Sequence, residues 1–356
     1  MNESELFSSN PYSLPQSEKE AFLLPKLSAL TQYHREHCPE YTRLLQLFWD
    51  GKAPFKQLAD LPYLPVNLFK TQKLLSISPG EVFKVLRSSG TTSSQPSQIF
   101  LDSATAHRQT LALANIMTSF LGPKRLPMVV IDHPNVIADR NHFNARGAAI
   151  LGMLNFGREP CYALDAKMHL NLSVLKDWML MQKHREQPIL FFGLTFVVWE
   201  HFLNQLQPNE MIAPQGILIH TGGWKKMQES AISPEMFKQK VHQTLQINHC
   251  HNFYGMVEQV GSVFMECEQG FFHCPRFAEV IIRRPKNWQK CDPQETGVIQ
   301  VLSILPSSYP GHSLLTEDLG RLKGIDDCAC GRKGKYFEVL GRVPQAEIRG
   351  CSDTLG

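Results

Sequence analysis

Several things are missing from this chain, and each absence removes a class of function. Its 356 residues carry 36 Lys and Arg against 33 Asp and Glu, a net charge of only +3. That excess is too small to argue for a nucleic-acid partner, and none is expected. No long hydrophobic run is present. The most apolar stretch, residues 188–199, is too short to cross a bilayer and runs into Glu200 and His201. The opening residues, Met1-Asn2-Glu3-Ser4-Glu5, lack the basic start of a secretory signal. No internal repeat or low-complexity tract stands out. The nine cysteines are an odd number. Without an export signal they read as thiols, metal ligands or a nucleophile rather than a disulfide framework. A cytoplasmic protein with no membrane span is expected.

What is present is an alternation of helix-like and strand-like segments. Helices are expected over residues 17–37, with Phe22, Leu23, Leu27 and Leu30 on one side, and over 103–121 with Ser103 as cap. Further helices are expected at 141–153, 170–183, 195–206 capped by Thr195, and 233–245 opened by Ser233 and Pro234. Buried strands are expected at 128–132, 189–192, 216–220 and 248–253. Residues 61–71 read as extended, because Pro62 and Pro65 break a helix. Such alternation implies an α/β fold, with mostly parallel sheets flanked by helices. After residue 277 the texture changes to strands at 278–283, 297–305 and 335–340, separated by Pro, Gly and Asp. The expected organisation is an amino-terminal tail and helical segment (1–60), an α/β core (61–264) and a smaller β lobe (265–356).

The stretch around which the chain is organised is residues 88–97, Ser-Ser-Gly-Thr-Thr-Ser-Ser-Gln-Pro-Ser, set between two strand-like runs. Ser88, Ser89, Thr91, Thr92 and Ser93 supply hydroxyls, Gly90 gives backbone freedom, and free amides can surround an anion. It is not a Walker A loop, since the Gly-Lys-Ser/Thr ending is absent. Taken alone, the stretch reads equally well as a solvated linker. In an open α/β sheet, ligands gather beyond the carboxyl ends of the strands. Gly222 and Gly223, and Tyr254 with Gly255, fall at such ends.

Ser-Ser-Gly-Thr-Thr resembles the phosphate loop of the adenylate-forming superfamily. Three later stretches resemble the same superfamily in order: Asn252-Phe253-Tyr254-Gly255-Met256-Val257-Glu258, Leu315-Thr316-Glu317-Asp318-Leu319-Gly320, and Leu340-Gly341-Arg342. Two departures are visible. The usual Pro-Lys reads Pro96-Ser97, and Glu317 replaces a glycine, which tightens the turn expected around Asp318. The resemblance implies that Glu258 holds Mg²⁺, a use that suits an oxygen ligand beside triphosphate. It implies that Tyr254 packs near adenine or acyl group, and that Arg342 meets ribose or phosphate. Asp318 can accept two hydrogen bonds from vicinal ribose hydroxyls. Taken singly, Glu258 is a helix-start carboxylate, Asp318 a turn residue and Arg342 a strand-end cation.

Within the superfamily the chain, from about residue 61 onward, resembles the LuxE-like acyl-protein synthetases. Cys351, in Arg349-Gly350-Cys351-Ser352, looks like the acyl-accepting end of that family, and Arg349 would favour its thiolate. Cys267, His273, Cys328 and Cys330 form a donor set of the structural zinc type, with Cys274 a competitor. Segments around them resemble paired segments in phenylacetate-CoA-ligase-like relatives, where such a zinc occurs. The mobile carboxyl-terminal domain that usually supplies a catalytic lysine is not expected here. Lys225 and its neighbour Lys226 are candidate substitutes, each equally readable as a solvated helix-start lysine.

The expected activity is therefore ATP- and Mg²⁺-dependent activation of a carboxylic acid, of the fatty kind, as acyl-adenylate. Acyl transfer to Cys351 follows, and the family resemblance implies an acyl-reductase partner. An acyl-CoA ligase that tolerates loss of Cys351 stands as the alternative enzyme. A non-catalytic, zinc-stabilised subunit of a reductase complex stands as the alternative outside catalysis.

Overall fold

A computed structural model describes residues 3–49, 54–88, 95–137, 145–182, 187–223 and 232–344. In chain order the elements begin with helices α1 (Glu3–Ser8), α2 (Gln16–His37) and α3 (Pro39–Phe48). Strand β1 (Leu64–Pro65), helix α4 (Leu68–Thr71), and strands β2 (Lys84–Arg87) and β3 (Gln98–Leu101) follow. Next come α5 (Ser103–Leu121), β4 (Leu126–Val130), α6 (Ala145–Met153), β5 (Gly157–Tyr162) and α7 (Leu172–Gln182). Then come β6 (Leu190–Leu194), α8 (Thr195–His201), β7 (Ile217–Thr221), α9 (Pro234–Leu245) and β8 (His249–Tyr254). The rest is strand: β9 (Phe264–Glu266), β10 (Phe272–His273), β11 (Ala278–Arg283), β12 (Thr296–Ser303), β13 (Ser313–Ile325) and β14 (Lys335–Arg342).

The chain forms two compact units. One takes the described residues within Met1–Ser119 and Gly255–Glu347, the other those within Phe120–Tyr254. The first groups the amino-terminal third with the carboxyl-terminal strands, whereas the expected boundaries fell near residues 60 and 264.

The second unit is the α/β part. Its strands lie in the order β5-β4-β6-β7-β8, all parallel. Every residue of β4 and β6 is buried, as strands covered on both faces require. Leu190, Phe191 and Phe192 have no exposed surface, and each contributes on the order of 1.5–3 kcal/mol by burial. Ser233 caps α9 as expected, accepting from the Met236 amide at 3.2 Å, with Pro234 at the first helical position. Thr195 does not cap α8. It is the first helical residue, and its hydroxyl turns to loop carbonyls instead.

In the first unit, strands run β11-β12-β13-β14-β10-β9, antiparallel at the pairs β11–β12, β12–β13, β13–β14, β14–β10 and β10–β9, with β1 parallel to β13. β2 and β3 make a separate antiparallel pair. Three expectations are corrected here. Residues 61–71 are not extended throughout, because Leu68–Thr71 closes a helical turn after the second proline has ended the constraint. The cap of α5 is Asp102, whose Oδ1 accepts from the Thr105 amide at 2.7 Å, rather than Ser103. The buried face of α2 is Gln16, Lys19, Leu23, Leu27, Thr31 and His34, partly polar, while Phe22 and Leu30 lie at its margin.

The polar members of that face are paired. Gln16 Nε2 donates to Glu279 Oε2 at 2.7 Å, and Lys19 and Lys335 lie 3.5 and 3.7 Å from the same carboxylate. Burial works against charge on Glu279, but the two cations outweigh it and hold the carboxyl at about 2. His34 and His312 stack with ring centres 4.9 Å apart, both buried and neutral.

Candidate functional site

Among the described residues of the first unit, the candidate residues fall into four places. The neck of the residue 88–97 stretch is one. β2 and β3 pair from Lys84↔Leu101 to Arg87↔Gln98, and the Ser88 amide donates to the Ser97 carbonyl at 3.1 Å. The Ser97 amide donates to Ser88 Oγ at 2.8 Å. The Ser88 side chain therefore closes the base of the loop. Ser89, Gly90, Thr91, Thr92 and Ser93 lie outside the described residues.

Glu258 is the second. It sits in a short 3-10 turn, Val257–Gln259, and only 4% of its surface is exposed. That excludes the surface carboxylate that the sequence left open. The Tyr309 hydroxyl donates to the Glu258 carbonyl at 2.9 Å, and Gln259 Nε2 donates to the Gly311 carbonyl at 2.9 Å. Burial, and then the nearby Glu258 carboxylate, push the Tyr309 phenol well above its ordinary range. A buried carboxylate of this kind suits a hard cation brought in by a nucleotide. Gly255, just before the turn, is exposed.

Asp318 and Arg342 are the third. The turn expected at Asp318 is absent. Thr316, Glu317, Asp318, Leu319 and Gly320 all lie inside β13, where Leu319 and Gly320 pair with both β12 and β14, Asp318 pairs with β14 alone, and residues 316–318 fall at a register shift of the β12 ladder. Glu317 stands in that irregular stretch, and its backbone carbonyl accepts from the Val343 amide at 2.9 Å. Its carboxylate lies 3.8 Å from Arg342 Nη2, and Asp318 Oδ1 lies 3.7 Å from Arg342 Nε.

The fourth is the cysteine–histidine cluster. Cys267 follows β9, His273 ends β10, and Cys328 and Cys330 ride on the β13–β14 connection. Their ligand atoms all lie within 4.8 Å of one another. Cys267 and Cys328 sulfurs are 3.9 Å apart, and Cys330 Sγ lies 3.3 Å from His273 Nε2. A zinc tetrahedron has sulfur–sulfur edges of about 3.8 Å and sulfur–nitrogen edges of about 3.6 Å. The donors therefore fit that ion. The Gln269 amide points at Cys267 Sγ from 3.4 Å, and Tyr336 stacks on the His273 ring at 5.5 Å. Burial, and then the Arg332 cation, bring His273 down to about 4, so its imidazole is neutral and able to ligate. Burial pushes the Cys328 thiol up to about 12, while for Cys330 the Arg332 amide and guanidinium outweigh burial and lower it. Cys274 is not in the cluster. It is buried beside Glu279, Lys19 and Lys335.

In the second unit, Gly222 and Gly223 follow β7, and Tyr254 ends β8, half-buried. Gly222 has φ +84° and nothing within 4 Å of where a Cβ would stand, so its requirement is conformational rather than steric. Its carbonyl accepts from Thr195 Oγ1 at 2.7 Å. The same hydroxyl lies 2.8 Å from His220 Nδ1. A hydroxyl has one proton, so with that proton on the Gly222 carbonyl, His220 must donate from Nδ1. Burial, then Lys238 and His251, lower His220 to about 3. Asp132, following β4, holds Arg146 in a buried pair at 2.5–2.6 Å. Neither Thr195 nor Tyr309 was singled out for a site by sequence. Both look like ordinary helix-start and turn residues, and no local pattern marks them. Lys225, Lys226 and Cys351 lie outside the described residues.

No helix among the described residues is long and apolar enough to cross a membrane. Several known proteins are similar to this chain. A long-chain-fatty-acid–luciferin-component ligase of Vibrio harveyi is 21% identical over 357 residues, covering 98% of this chain and 90% of its own. A protein of the same name from Aliivibrio fischeri is 21% identical over 303 residues, covering 82% and 77%. An open conformation of 2-hydroxyisobutyryl-CoA ligase superposes with a TM-score of 0.68 at 18% identity, over 96% of this chain and 79% of that one. Its postadenylation state gives a TM-score of 0.66 at 17% identity, over 94% and 70%. These superpositions show that the fold is that of the adenylate-forming ligases. The family model for acyl-protein synthetase, LuxE, matches residues 2–356, and the chain belongs to that family.

Proposed function

We propose that this chain is an ATP-dependent acyl-protein synthetase that activates a long-chain fatty acid and carries it as a thioester. The observation that carries the reading is the buried carboxylate of Glu258, in a chain matched along its length by the LuxE family. The choice of acid follows the names of the two Vibrio harveyi and Aliivibrio fischeri relatives.

In the first half-reaction, a carboxylate oxygen of the acid attacks the α-phosphorus of MgATP. The P–O bond to pyrophosphate breaks, and acyl-adenylate forms. The loop of Ser88, Ser89, Gly90, Thr91, Thr92 and Ser93 cradles the phosphates with amides and hydroxyls. Glu258 supplies an oxygen ligand to the Mg²⁺ that arrives with the nucleotide. Asp318 accepts from the ribose hydroxyls, and Arg342 steadies Asp318 while facing the phosphate or ribose. Gly222, Gly223, Tyr254 and Gly255 supply the base- and acyl-facing backbone and ring. Lys225, with Lys226 beside it, is the candidate cation for charge developing on the reacting carboxylate.

In the second half-reaction, the Cys351 thiolate attacks the acyl carbonyl carbon. AMP leaves, and a thioester remains for an acyl-reductase partner. Cys267, His273, Cys328 and Cys330 hold one structural Zn²⁺, which would tie the β9–β10 hairpin to the β13–β14 connection.

The test is ATP–pyrophosphate exchange with a panel of carboxylic acids, followed by labelling with a radioactive acid. Exchange that peaks with long-chain acids, and a protein label released by neutral hydroxylamine, are expected. Cys351→Ser should keep the exchange and lose the label. Absence of exchange with every acid would point to the non-catalytic alternative. CoA-dependent product with no labelled protein would point to the CoA ligase.

A further inference from the structure

The segment 306–311, Pro-Ser-Ser-Tyr-Pro-Gly, has no role in the reaction described so far, yet it is fixed from several sides within the first unit. Ser308 Oγ donates to the Phe100 carbonyl at 2.8 Å, in β3, the strand that leaves the Ser88 loop. The Ser76 amide donates to the Ser308 carbonyl at 2.8 Å. Ser307 Oγ meets Thr105 Oγ1 at 2.8 Å on α5 and accepts from Arg108. The Pro306 carbonyl lies 3.3 Å from His34 Nε2.

From this anchored base, Tyr309 reaches the Glu258 turn. Its ring is wholly buried and packs edge-on against Phe69, and its hydroxyl donates to the Glu258 backbone carbonyl. Gln259, also buried, returns a hydrogen bond to the Gly311 carbonyl. The turn is thus tied to the segment at two consecutive residues, in both directions. Behind it, Gly261 takes φ +86° and lies so close to α5 that a Cβ would stand 2.8 Å from the Gln109 Cα. No side chain can enter there, so the turn has no room to shift toward α5.

We infer that segment 306–311 is a brace that sets the Glu258 carboxylate relative to the Ser88 loop, with Tyr309 as its positioning residue. The inference rests on the adenylation reading. Tyr309 touches no substrate in this account. It acts through the Glu258 backbone, so its loss should affect what Glu258 does for a metal–nucleotide complex and spare what the loop does for the nucleotide alone.

The variant is Tyr309→Phe, which keeps the ring against Phe69 and removes only the hydroxyl. The readout is the affinity for a non-hydrolysable ATP analogue, titrated with and without Mg²⁺. The gain in affinity that Mg²⁺ confers should shrink about three- to tenfold, the usual worth of one hydrogen bond, with metal-free affinity unchanged. Gln259→Met cuts the second tie and should reduce the same gain, which decides the matter if Tyr309→Phe does not fold. A gain of wild-type size in the folded variants overturns the brace. So does an equal fall in both affinities, which a merely structural role would give. A wild-type protein whose affinity ignores Mg²⁺ overturns the adenylation reading itself, and the brace with it.

Discussion

Asp318 and Arg342 are direct cross-strand partners in the β13–β14 ladder, one residue from a register shift at Leu319/Gly320. Both are about one-fifth to one-quarter exposed, at 21% and 24%. Partners this close act as a unit. The arginine orients the carboxylate, and the carboxylate holds the guanidinium short of free rotation. Asp318→Asn keeps the shape and one acceptor oxygen but loses the charge. We expect the KM for ATP in pyrophosphate exchange to rise about tenfold, roughly 1.4 kcal/mol, with the unfolding midpoint little changed. An unaltered KM for ATP would remove Asp318 from the nucleotide site.

Glu258→Gln is a sharper case, because the backbone carbonyl used by Tyr309 is untouched by the change. The fold should survive, with the Tyr309 and Gln259 ties intact. Exchange at saturating Mg²⁺ should fall tenfold or more, at least ~1.4 kcal/mol of transition-state stabilisation. Unchanged exchange kinetics would show that the carboxylate is buried for structural reasons alone.

Metal analysis of protein purified without added zinc should find about one ion per chain. Double substitution Cys328→Ser, Cys330→Ser should abolish that ion and lower the melting temperature, since Cys328 and Cys330 would no longer be tied to Cys267 and His273. Metal-free protein with the same melting temperature would exclude a structural zinc. Full occupancy in the double variant would reassign the ligands.

Acid should destabilise the protein earlier than its carboxylates alone would require. Burial first, together with neighbouring cations and histidines, lowers His34 and His220 to about 3 and His312 well below 6.5. Below pH 6.5 the unfolded chain takes up protons at these three histidines and the folded chain does not. The unfolded state therefore binds more protons, and stability falls as the pH drops from 6.5 toward about 3. Each histidine contributes up to about 1.4 kcal/mol per pH unit over that window. Urea unfolding at pH 7, 6 and 5 should show the midpoint falling steadily. A flat midpoint down to pH 5 would contradict the buried, neutral histidines.

Much of the α/β unit was legible because its signals are local. A run such as Ile189-Leu190-Phe191-Phe192 has no polar face to offer solvent, and Ser233-Pro234 opens a helix by its own chemistry. The four metal-type donors were legible by residue type, and the fold brings them together. β13 was not legible. Pro310 and Gly311 before it, and Glu317, Asp318 and Gly320 within it, imitate a turn, and only pairing with β12 and β14 makes thirteen residues into one strand. Thr195 and Ser103 both lack the capping role expected of them, for similar reasons. Which hydroxyl or carboxylate caps a helix depends on the carbonyls and amides that the tertiary fold brings near. Tyr309 was invisible because its partner, Glu258, is 51 residues away in the chain.

Several buried polar groups of α2 find their partners near the other end of the chain. The Gln16 amide donates to the Asp326 carboxylate across 310 residues of sequence, and Lys19 shares Glu279 with Lys335. During synthesis at about 5–20 residues per second, Gln16 therefore waits roughly 15–60 s for Asp326. Residues 120–254 have their own strands and helices contiguous in sequence and suffer no such delay. The polar contacts that join α2 to Asp326 and Glu279 can therefore close only after most of the chain has been made, although the helix that carries them emerges early.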